Sequence, residues 1–366
     1  MLYPPQREGT AEGMKLFRRP ERISVVSIVL WALRIAVIVG VLMGSFATLT
    51  TTNFTAENWR DLVIFGIAQG SIYALIALGY TLVYGILFMI NFAHGEVFMA
   101  GAFTAFFVAQ ALDNAGFLNA SPLLAILIVL AVSMLTSMIV AVLLERIAYR
   151  PLRNAPRLVP LITAIGASLV LQYSFRGLYG SGVRAYPTFD ILTGTIDVLG
   201  IPFRTTQLLV IVSAAMLMVA LFYFVEHTRT GRSMRAVSED KEVASMMGIN
   251  VDRVIVTTFA IGGLLAGAAG ILYALIFQQV FFLMGFVPGI KAFTAAVLGG
   301  IGSVPGAMLG GLTLGILESV GPFLLLPGLG VPSPNQLKDV IEFSVLVLVL
   351  IFRPTGILGR SSVERG

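Results

Sequence analysis

The sequence predicts an all-α polytopic membrane protein with about eight transmembrane helices and one broken helical segment. Three observations lead to this fold class. The 366 residues are 57% hydrophobic and only 12% charged, about half the charge of an average soluble domain. Several apolar stretches reach roughly 20 residues, the length that crosses a bilayer. Lys and Arg cluster beside these stretches, as orientation signals do. Spans and short connections use up the chain, which leaves no room for a soluble catalytic domain.

The apolar stretches place the predicted spans in order along the chain. They lie at about 24–49, 62–84, 96–112, 122–144, 158–178, 207–225, 254–281 and 339–352, with an unusual segment at 291–326. We therefore predict a transmembrane domain at 24–352, between an N-terminal extension, 1–23, and a C-terminal tail, 353–366. The first span is too long for a removable signal peptide and lacks a small-residue cleavage site, so we expect it to be retained.

Lys and Arg are divided unevenly between alternate connections. Segments 1–23, 145–157, 226–253 and 353–366 carry 17 of the 24 Lys and Arg residues, and the intervening connections carry five. Basic residues favour the cytoplasmic side of a membrane. Both termini are therefore predicted to be cytoplasmic, which requires an even number of crossings. This parity predicts that 291–326 enters and leaves the membrane on the same side.

The segment 291–326 is rich in glycine, with eight glycines between 299 and 321. Pro305 within this run removes a helical hydrogen bond, which favours two half-helices broken between 299 and 306. Non-helical backbone is tolerated in a membrane only against protein or a water-filled path. The candidate residues of a substrate path in this break are Gly299, Gly300, Gly302 and Gly306. Alternatively, the glycines serve close helix packing through small-xxx-small spacing.

A second candidate for the path is the polar run Asn91-Phe-Ala-His94-Gly-Glu96, which lies between two apolar stretches. Polar groups at membrane depth are costly and usually face a cavity or each other. Asn91, His94 and Glu96 offer donors and acceptors suited to a zwitterionic or polar solute. Two other interpretations stay open, a short cytoplasmic turn and a buried structural network, and a proton relay through His94 and Glu96 is also possible.

The connection 226–253 carries ten of the chain's 43 charged residues. Ser238 is a predicted helix N-cap, and acidic residues in the first turn complement the helix dipole. Gly248 is the predicted C′ residue. The apolar face of this helix comprises Ala236, Val237, Val243, Ala244 and Met247. Such a short helix does not fold alone, so we expect it to dock on a soluble subunit or to lie on the membrane surface.

Several kinds of chemistry are excluded. Cysteine is absent and only His94 and His227 are histidines, so disulfides, thiol chemistry and a multi-histidine metal centre are ruled out. No Gly-x-x-x-x-Gly-Lys-Ser/Thr run occurs, so any ATP that drives this chain is hydrolysed on another one. The net charge of +5 comes from Lys and Arg beside spans, so nucleic-acid binding is not expected. We expect no enzymatic activity, cofactor or metal in this chain.

Four motifs in order resemble the permease subunits of bacterial branched-chain amino-acid ABC importers, and specifically the H-type of the two paralogous permeases. The motifs are INFAHGEVFMAGAF (90–103), RAVSEDKEVASMMGIN (235–250), KAFTAAVLGGIGSVPGAMLGG (291–311) and RPTGILGR (353–360). The resemblance covers about residues 60 to 360, and residues 1–55 have no distinctive motif.

The resemblance implies an inner-membrane heterodimer of two related permeases, in contact with lipid, two cytoplasmic ATPases and a periplasmic substrate-binding protein. It also implies that the loop at 235–250 supplies a coupling helix that fits a groove in the ATPase. The predicted coupling residues are Arg235, Ser238, Glu239, Asp240, Val243, Ala244, Met247 and Gly248. The implied substrate is a branched-chain or related apolar amino acid.

Other functions stay open on the sequence alone. Urea and sugar permeases share parts of the pattern, so urea, an amide or another small polar solute is an alternative substrate. A function of a different class is a stand-alone secondary transporter or channel, with Asn91, His94 and Glu96 as its ion or proton site. A scaffold without transport is disfavoured, because the broken segment and the polar run cost stability without an evident structural return.

Overall fold

The computed structural model describes residues 25–51, 53–153, 155–156, 158–353 and 355–359. The predicted N-terminal extension, 1–23, and the end of the C-terminal tail lie outside the described residues. The described residues form these α-helices: α1 Val25–Thr51, α2 Ala56–Leu87, α3 His94–Asn114, α4 Phe117–Ala120, α5 Pro122–Leu144, α6 Leu158–Tyr179, α7 Thr205–His227, α8 Arg229–Glu239, α9 Lys241–Met246, α10 Val251–Phe277, α11 Phe286–Gly299, α12 Val304–Leu325 and α13 Lys338–Phe352. The predicted all-α membrane fold is confirmed.

Eight of the described helices are long and apolar enough to cross a membrane, namely α1, α2, α3, α5, α6, α7, α10 and α12. The predicted break in the Gly-rich segment is present, between α11 and α12. The prediction of two half-helices is wrong for the second one, because α12 has 22 residues against 14 in α11. Pro305 lies in the first turn of α12, where its missing N–H is not needed, so it starts the helix and does not interrupt it.

The centre of the bundle is formed by α2, α3 and α10. Tyr73, Phe98 and Phe259, one on each of these helices, are fully enclosed by protein. The outer helices α1, α5, α6 and α7 instead expose large apolar side chains such as Leu42, Leu123 and Met216. Exposed apolar surface of this extent favours lipid or another membrane subunit as its neighbour.

Small residues bring α2 and α12 into backbone contact. Gly70 packs so closely on α12 that a Cβ at this position would lie 2.9 Å from the carbonyl oxygen of Gly311. One turn along α12, a Cβ on Gly315 would overlap the backbone of Gly70, and Ala74 packs on Gly311 in the same way. Without a hydrophobic driving force between helices in lipid, such close contacts supply the packing energy of the pair.

Short strands mark one end of the bundle, which we call the hairpin end. Strand β2 (Thr195–Val198) pairs antiparallel with β3 (Ile201–Arg204), directly before α7. Strand β1 (Arg184–Ala185) pairs with β4 (Gln279–Val280), which joins the connection after α6 to the connection after α10.

The opposite end, which we call the helical-loop end, contains α8, α9 and the turn between α11 and α12. Phe88, just beyond α2, lies 5.8 Å from the Lys241 ammonium of α9. Tyr84, one turn earlier, lines a small cavity together with Ile301 of the α11–α12 turn. The C-terminal segment also packs here, since the N–H of Ile357 donates to Leu298 over 2.8 Å.

Candidate functional site: a buried carboxylate beside an apolar cavity

The polar run from Asn91 to Glu96 lies inside the bundle. Asn91, His94 and Glu96 are 3%, 2% and 1% exposed. The imidazole of His94 packs on Gly79, where a Cβ would overlap the ring, and Gly79 lies eight residues before the end of α2. At 1.5 Å per residue the start of α3 is thus about 12 Å inside the end of α2. The chain re-enters the bundle before α3 begins.

The three side chains face three different neighbours. Asn91 accepts a 2.6 Å hydrogen bond from the hydroxyl of Tyr149. His94 meets the ring of Tyr80 edge-on, with 4.9 Å between ring centres. Glu96 turns towards α6. Within the described part of the chain no side-chain hydrogen bond joins any two of Asn91, His94 and Glu96. The three residues therefore belong to one buried segment, but their side chains do not converge on one solute. The proton relay proposed from the sequence has no hydrogen-bonded route between His94 and Glu96 in the described structure.

Glu96 Oε2 and His94 Nε2 are both buried without a hydrogen-bond partner among the described residues, and of these two residues Glu96 lines the cavity described below. The Oε1 of Glu96 accepts hydrogen bonds from Gln172 over 2.7 Å and from Ser168 over 3.3 Å. Its Oε2 is buried, and has no hydrogen-bond partner among the described residues. A buried carboxylate without a counterion is costly. A ligand that donates a hydrogen bond to Oε2 and carries a positive charge would reduce this cost.

A cavity of about 300 Å³ adjoins Glu96, at the lower limit of the volume that ligand pockets occupy. Its polar wall is formed by Glu96, Ser168 and Gln172. Its apolar wall comprises Phe92, Ile165, Leu169, Phe286 and Ile290. A carboxylate and two neutral polar side chains beside an apolar wall suit a small amphiphilic cation or zwitterion.

The sequence interpretation missed Ser168, Gln172 and the start of α11 as parts of this site. The available signal was a pair of polar residues four apart in an apolar helix, which places both on one face. The start of α11 could not be recognised, because only the fold brings it to α3. There Gly95 and Gly289 allow the two helix starts to touch, and a Cβ on Gly95 would lie 3.1 Å from the Cα of Gly289.

The candidate path residues of the Gly-rich segment lie away from this cavity, at the helical-loop end. Gly299 and Gly306 pack on each other, and a Cβ on either would overlap the backbone of its partner. Gly300 adopts a left-handed conformation with φ 104° against Gly359 of the C-terminal segment. Gly302 has open space around it. The packing alternative thus accounts for Gly299 and Gly306, and a role of the four glycines in a substrate path stays a prediction.

The charged loop forms two helices where the sequence predicted one. Thr228 caps α8, and Asp240 caps α9 by accepting from the N–H groups of Glu242 and Val243. The predicted N-cap Ser238 is wrong, because this residue lies in the last turn of α8 and its hydroxyl donates to the carbonyl of Arg235. Gly248 follows α9 with φ 83°, as expected of a C′ glycine.

The predicted apolar face of the loop is divided between two surfaces. Val237 and Ala244 are buried against the bundle, whereas Val243, Met246 and Met247 are 49%, 79% and 78% exposed. Arg235 pairs with Glu226, and Glu239 ends α8. The exposed group of three, which we call the α9 apolar patch, lies beside Asp240 and Glu242 on the outer surface of the loop.

A buried ion network joins α11, α12 and α13. Lys291 is 2% exposed, and its Nζ lies 2.7 Å from Glu318, 2.7 Å from Asp339 and 3.0 Å from Glu342. The three carboxylates have oxygens within 4.8 Å of one another, and the ammonium is the cation they share. The sequence interpretation assigned these residues no role, although opposite charges in neighbouring apolar segments were a usable signal.

Comparisons with known proteins agree with this architecture. Residues 62–350 match the family described as branched-chain amino acid transport system / permease component. The high-affinity branched-chain amino acid transport system permease protein BraD of Pseudomonas aeruginosa is 44% identical over 84% of this chain and 98% of its own length. The corresponding protein LivH of Escherichia coli K12 is 44% identical over 82% of this chain and 95% of its own.

A more distant relative also matches most of the chain. A probable branched-chain amino acid transport permease protein, LivH, of Methanocaldococcus jannaschii is 27% identical over 80% of this chain. The family model covers most of the chain, and the eight membrane-length helices fit it. The chain therefore belongs to the family of permease components of branched-chain amino acid transport systems.

Proposed function

We propose that this chain is the transmembrane permease subunit of an ATP-driven importer for branched-chain or related apolar amino acids, and that separate ATPase subunits act on it through α8 and α9. The observation that carries the proposal is the α9 apolar patch, which stands exposed on a loop whose other face is anchored in the bundle. The chain itself binds no ATP in this scheme.

The relatives and the cavity both support the proposed substrate. The relatives that match nearly their whole length are named as branched-chain amino acid permeases. The cavity at Glu96 offers an aliphatic side chain five apolar neighbours. Urea can donate hydrogen bonds to a carboxylate, but it has no aliphatic part for the apolar wall and no charge to compensate Glu96.

The helical-loop end faces the cytoplasm in this proposal, with both termini on that side. Arg150 and Arg153, which follow α5, lie at this end, as do Arg229, Arg232 and Lys241 of the loop. Basic residues favour the cytoplasmic side of an inner membrane. The hairpin end then faces outward, where a periplasmic substrate-binding protein delivers the amino acid.

The exposed patch distinguishes a protein partner from a lipid surface. Membrane-surface helices present Lys and Arg around their apolar face, whereas the α9 apolar patch is flanked by Asp240 and Glu242. Acidic neighbours are repelled by anionic lipid but suit a basic groove on a soluble subunit. Docking of an ATPase therefore explains the patch better than lipid does.

Force applied to α9 reaches the central helices directly. The Lys241 ammonium lies over the ring of Phe88 at the end of α2. Partial burial lowers the pKa of Lys241, and the positive charge of Arg153 lowers it further. Arg153 pairs with both Glu145 and Asp252, which joins the end of α5 to the start of α10. ATP-driven closure of the ATPases would thus move α2 and α10, which flank the start of α3.

A second, related permease would cover part of the outer apolar surface to form a heterodimer. The stand-alone secondary transporter has no comparable support, since His94 and Glu96 are not hydrogen-bonded to each other in the described structure. It would also leave the α9 apolar patch without a role.

Met247→Asp should detach the ATPases without preventing membrane insertion. Burial of a Met side chain contributes about 1.5–3 kcal/mol, so we expect about 10- to 100-fold weaker ATPase binding. The measurement is the amount of ATPase retained on the purified permease in mild detergent, together with ATP-driven uptake of leucine.

Leu199→Asp is the matched control, because Leu199 is 98% exposed in the β2–β3 turn at the hairpin end. It should retain the ATPases at the unmodified level. Undiminished ATPase retention by Met247→Asp would exclude the α9 apolar patch as the docking surface.

A further inference from the structure

We propose that the cavity between α3, α6 and α11 binds the amino acid as a zwitterion, with its ammonium group on Glu96, its carboxylate at the N-terminus of α11 and its aliphatic side chain on the apolar wall. This inference rests on the proposed function and assigns the substrate-binding residues within it.

The ammonium position is set by Glu96. Oε1 is already held by Gln172 and Ser168, which fixes the carboxylate plane. Oε2 remains as a buried acceptor with no partner in the described residues. An ammonium group donates hydrogen bonds and compensates the charge, which hydrogen-bond donors from neutral side chains do only in part.

The carboxylate position is set by α11. Its N-cap is Gly285, no side chain caps it and no acidic residue lies in its first turn. Within the described ranges the N–H groups of Gly285 and Val287 have no hydrogen-bond partner, and Pro288 has no N–H. A helix N-terminus with free N–H groups attracts an anion. Gly285 and Phe286 form part of the cavity wall.

The two anchors line the same small cavity. Gly95 and Gly285 bring the starts of α3 and α11 into contact, and a Cβ on Gly95 would lie 2.5 Å from the Gly285 carbonyl oxygen. An α-amino acid carries its ammonium and carboxylate on one carbon, so it requires anchors this close together. Leu169 and Ile290 then face the side chain, which predicts a preference for apolar amino acids.

The competing structural explanation is that Glu96 only complements the dipole of α11. Both explanations predict some loss of stability in Glu96→Gln. Only a binding role predicts that the charge at position 96 decides which leucine analogue competes for the cavity. The test therefore reads analogue preference and not stability alone.

The experiment is photo-crosslinking of the purified transporter complex with a diazirine analogue of leucine, followed by peptide mapping. In the unmodified protein, label should fall on peptides that contain 165–172 and 285–290. Leucine should compete best, 3-methylbutylamine less well, and 4-methylpentanoate least, because it lacks the ammonium. Label confined to other helices, or equal competition by 4-methylpentanoate and leucine, would overturn the assignment.

Glu96→Gln should reduce labelling by about 10- to 100-fold, the range expected for one hydrogen bond to a charged group. It should also reverse the order of the two analogues. Glu57→Gln, the same change on an exposed residue in the first turn of α2, is the control. A folded Glu96→Gln complex with unchanged labelling and analogue order overturns the inference. If leucine is transported but labels elsewhere, only this inference fails; if leucine is neither bound nor transported, the proposed function fails with it.

Discussion

Replacing Lys291 with Met should remove most of the folded protein from the membrane. Lys291 is the shared cation of three carboxylates, and two of them, Glu318 and Glu342, are themselves fully buried. Breaking a buried pair by removal of one partner costs about 3–5 kcal/mol, and among the described residues Glu342 would be left without a counterion. This cost is a large fraction of the stability of a typical protein. The measurement is the amount of chain in the membrane and the midpoint of its thermal unfolding in detergent.

Two further variants separate charge from packing at Lys291. Lys338→Met removes a 37% exposed ammonium 3.2 Å from Glu318, and should have a much smaller effect, since water screens this pair. Glu342→Gln added to Lys291→Met should recover part of the loss, because one buried charge is then absent. Normal amounts and an unchanged midpoint for Lys291→Met alone would show that the network does not hold α13 on α11 and α12.

The second large effect is expected at the contact of α2 with α12. A Leu side chain at Gly315 cannot be accommodated, because even its Cβ would overlap the backbone of Gly70. Overpacking of a side chain costs about 1–3 kcal/mol where neighbours can adjust, and here the obstacle is backbone on a central helix. We therefore expect Gly315→Leu to separate the two helices and to abolish transport. Gel filtration in detergent and uptake of leucine measure the two consequences.

Gly166→Leu is the matched control for Gly315→Leu. Gly166 lies within α6, where a Cβ has no neighbour within 4 Å, so the same substitution should leave elution and uptake close to normal. If Gly315→Leu elutes as a single peak at the volume of the unmodified protein and retains full uptake, the close contact of α2 and α12 is contradicted.

The sequence predicts the membrane class and most spans because apolar length and the distribution of Lys and Arg are local properties. Helix α12 was predicted as a half-helix because a proline can either break a helix or begin one, and local sequence does not distinguish the two. The N-cap of α9 was placed at Ser238 for a similar reason. Ser238 and Asp240 are both good capping residues, two positions apart. Ser238 lies within the last turn of α8, so Asp240 is the residue that caps α9.

The candidate site could be predicted only in part. The place of Glu96 between apolar stretches made a buried position one of three open interpretations, and its neighbours come from α6 and α11, far away in sequence. Ser168 and Gln172 are polar residues on one helix face, and nothing local shows that this face meets Glu96. Likewise, the exposure of Met247 and the burial of Val237 depend on which side of the loop meets the bundle. Such facts arise from tertiary packing and not from periodicity.

In the proposed function, separate ATPases drive this permease. Their role is tested most directly by purifying the unmodified chain in mild detergent from the cells that produce it and identifying the bound proteins by mass spectrometry. We expect two ATPase subunits and a second, related permease, and ATP-dependent uptake of leucine when the complex is placed in vesicles. Recovery of this chain alone, with leucine transport that needs no ATP and follows an ion gradient, would contradict the proposal.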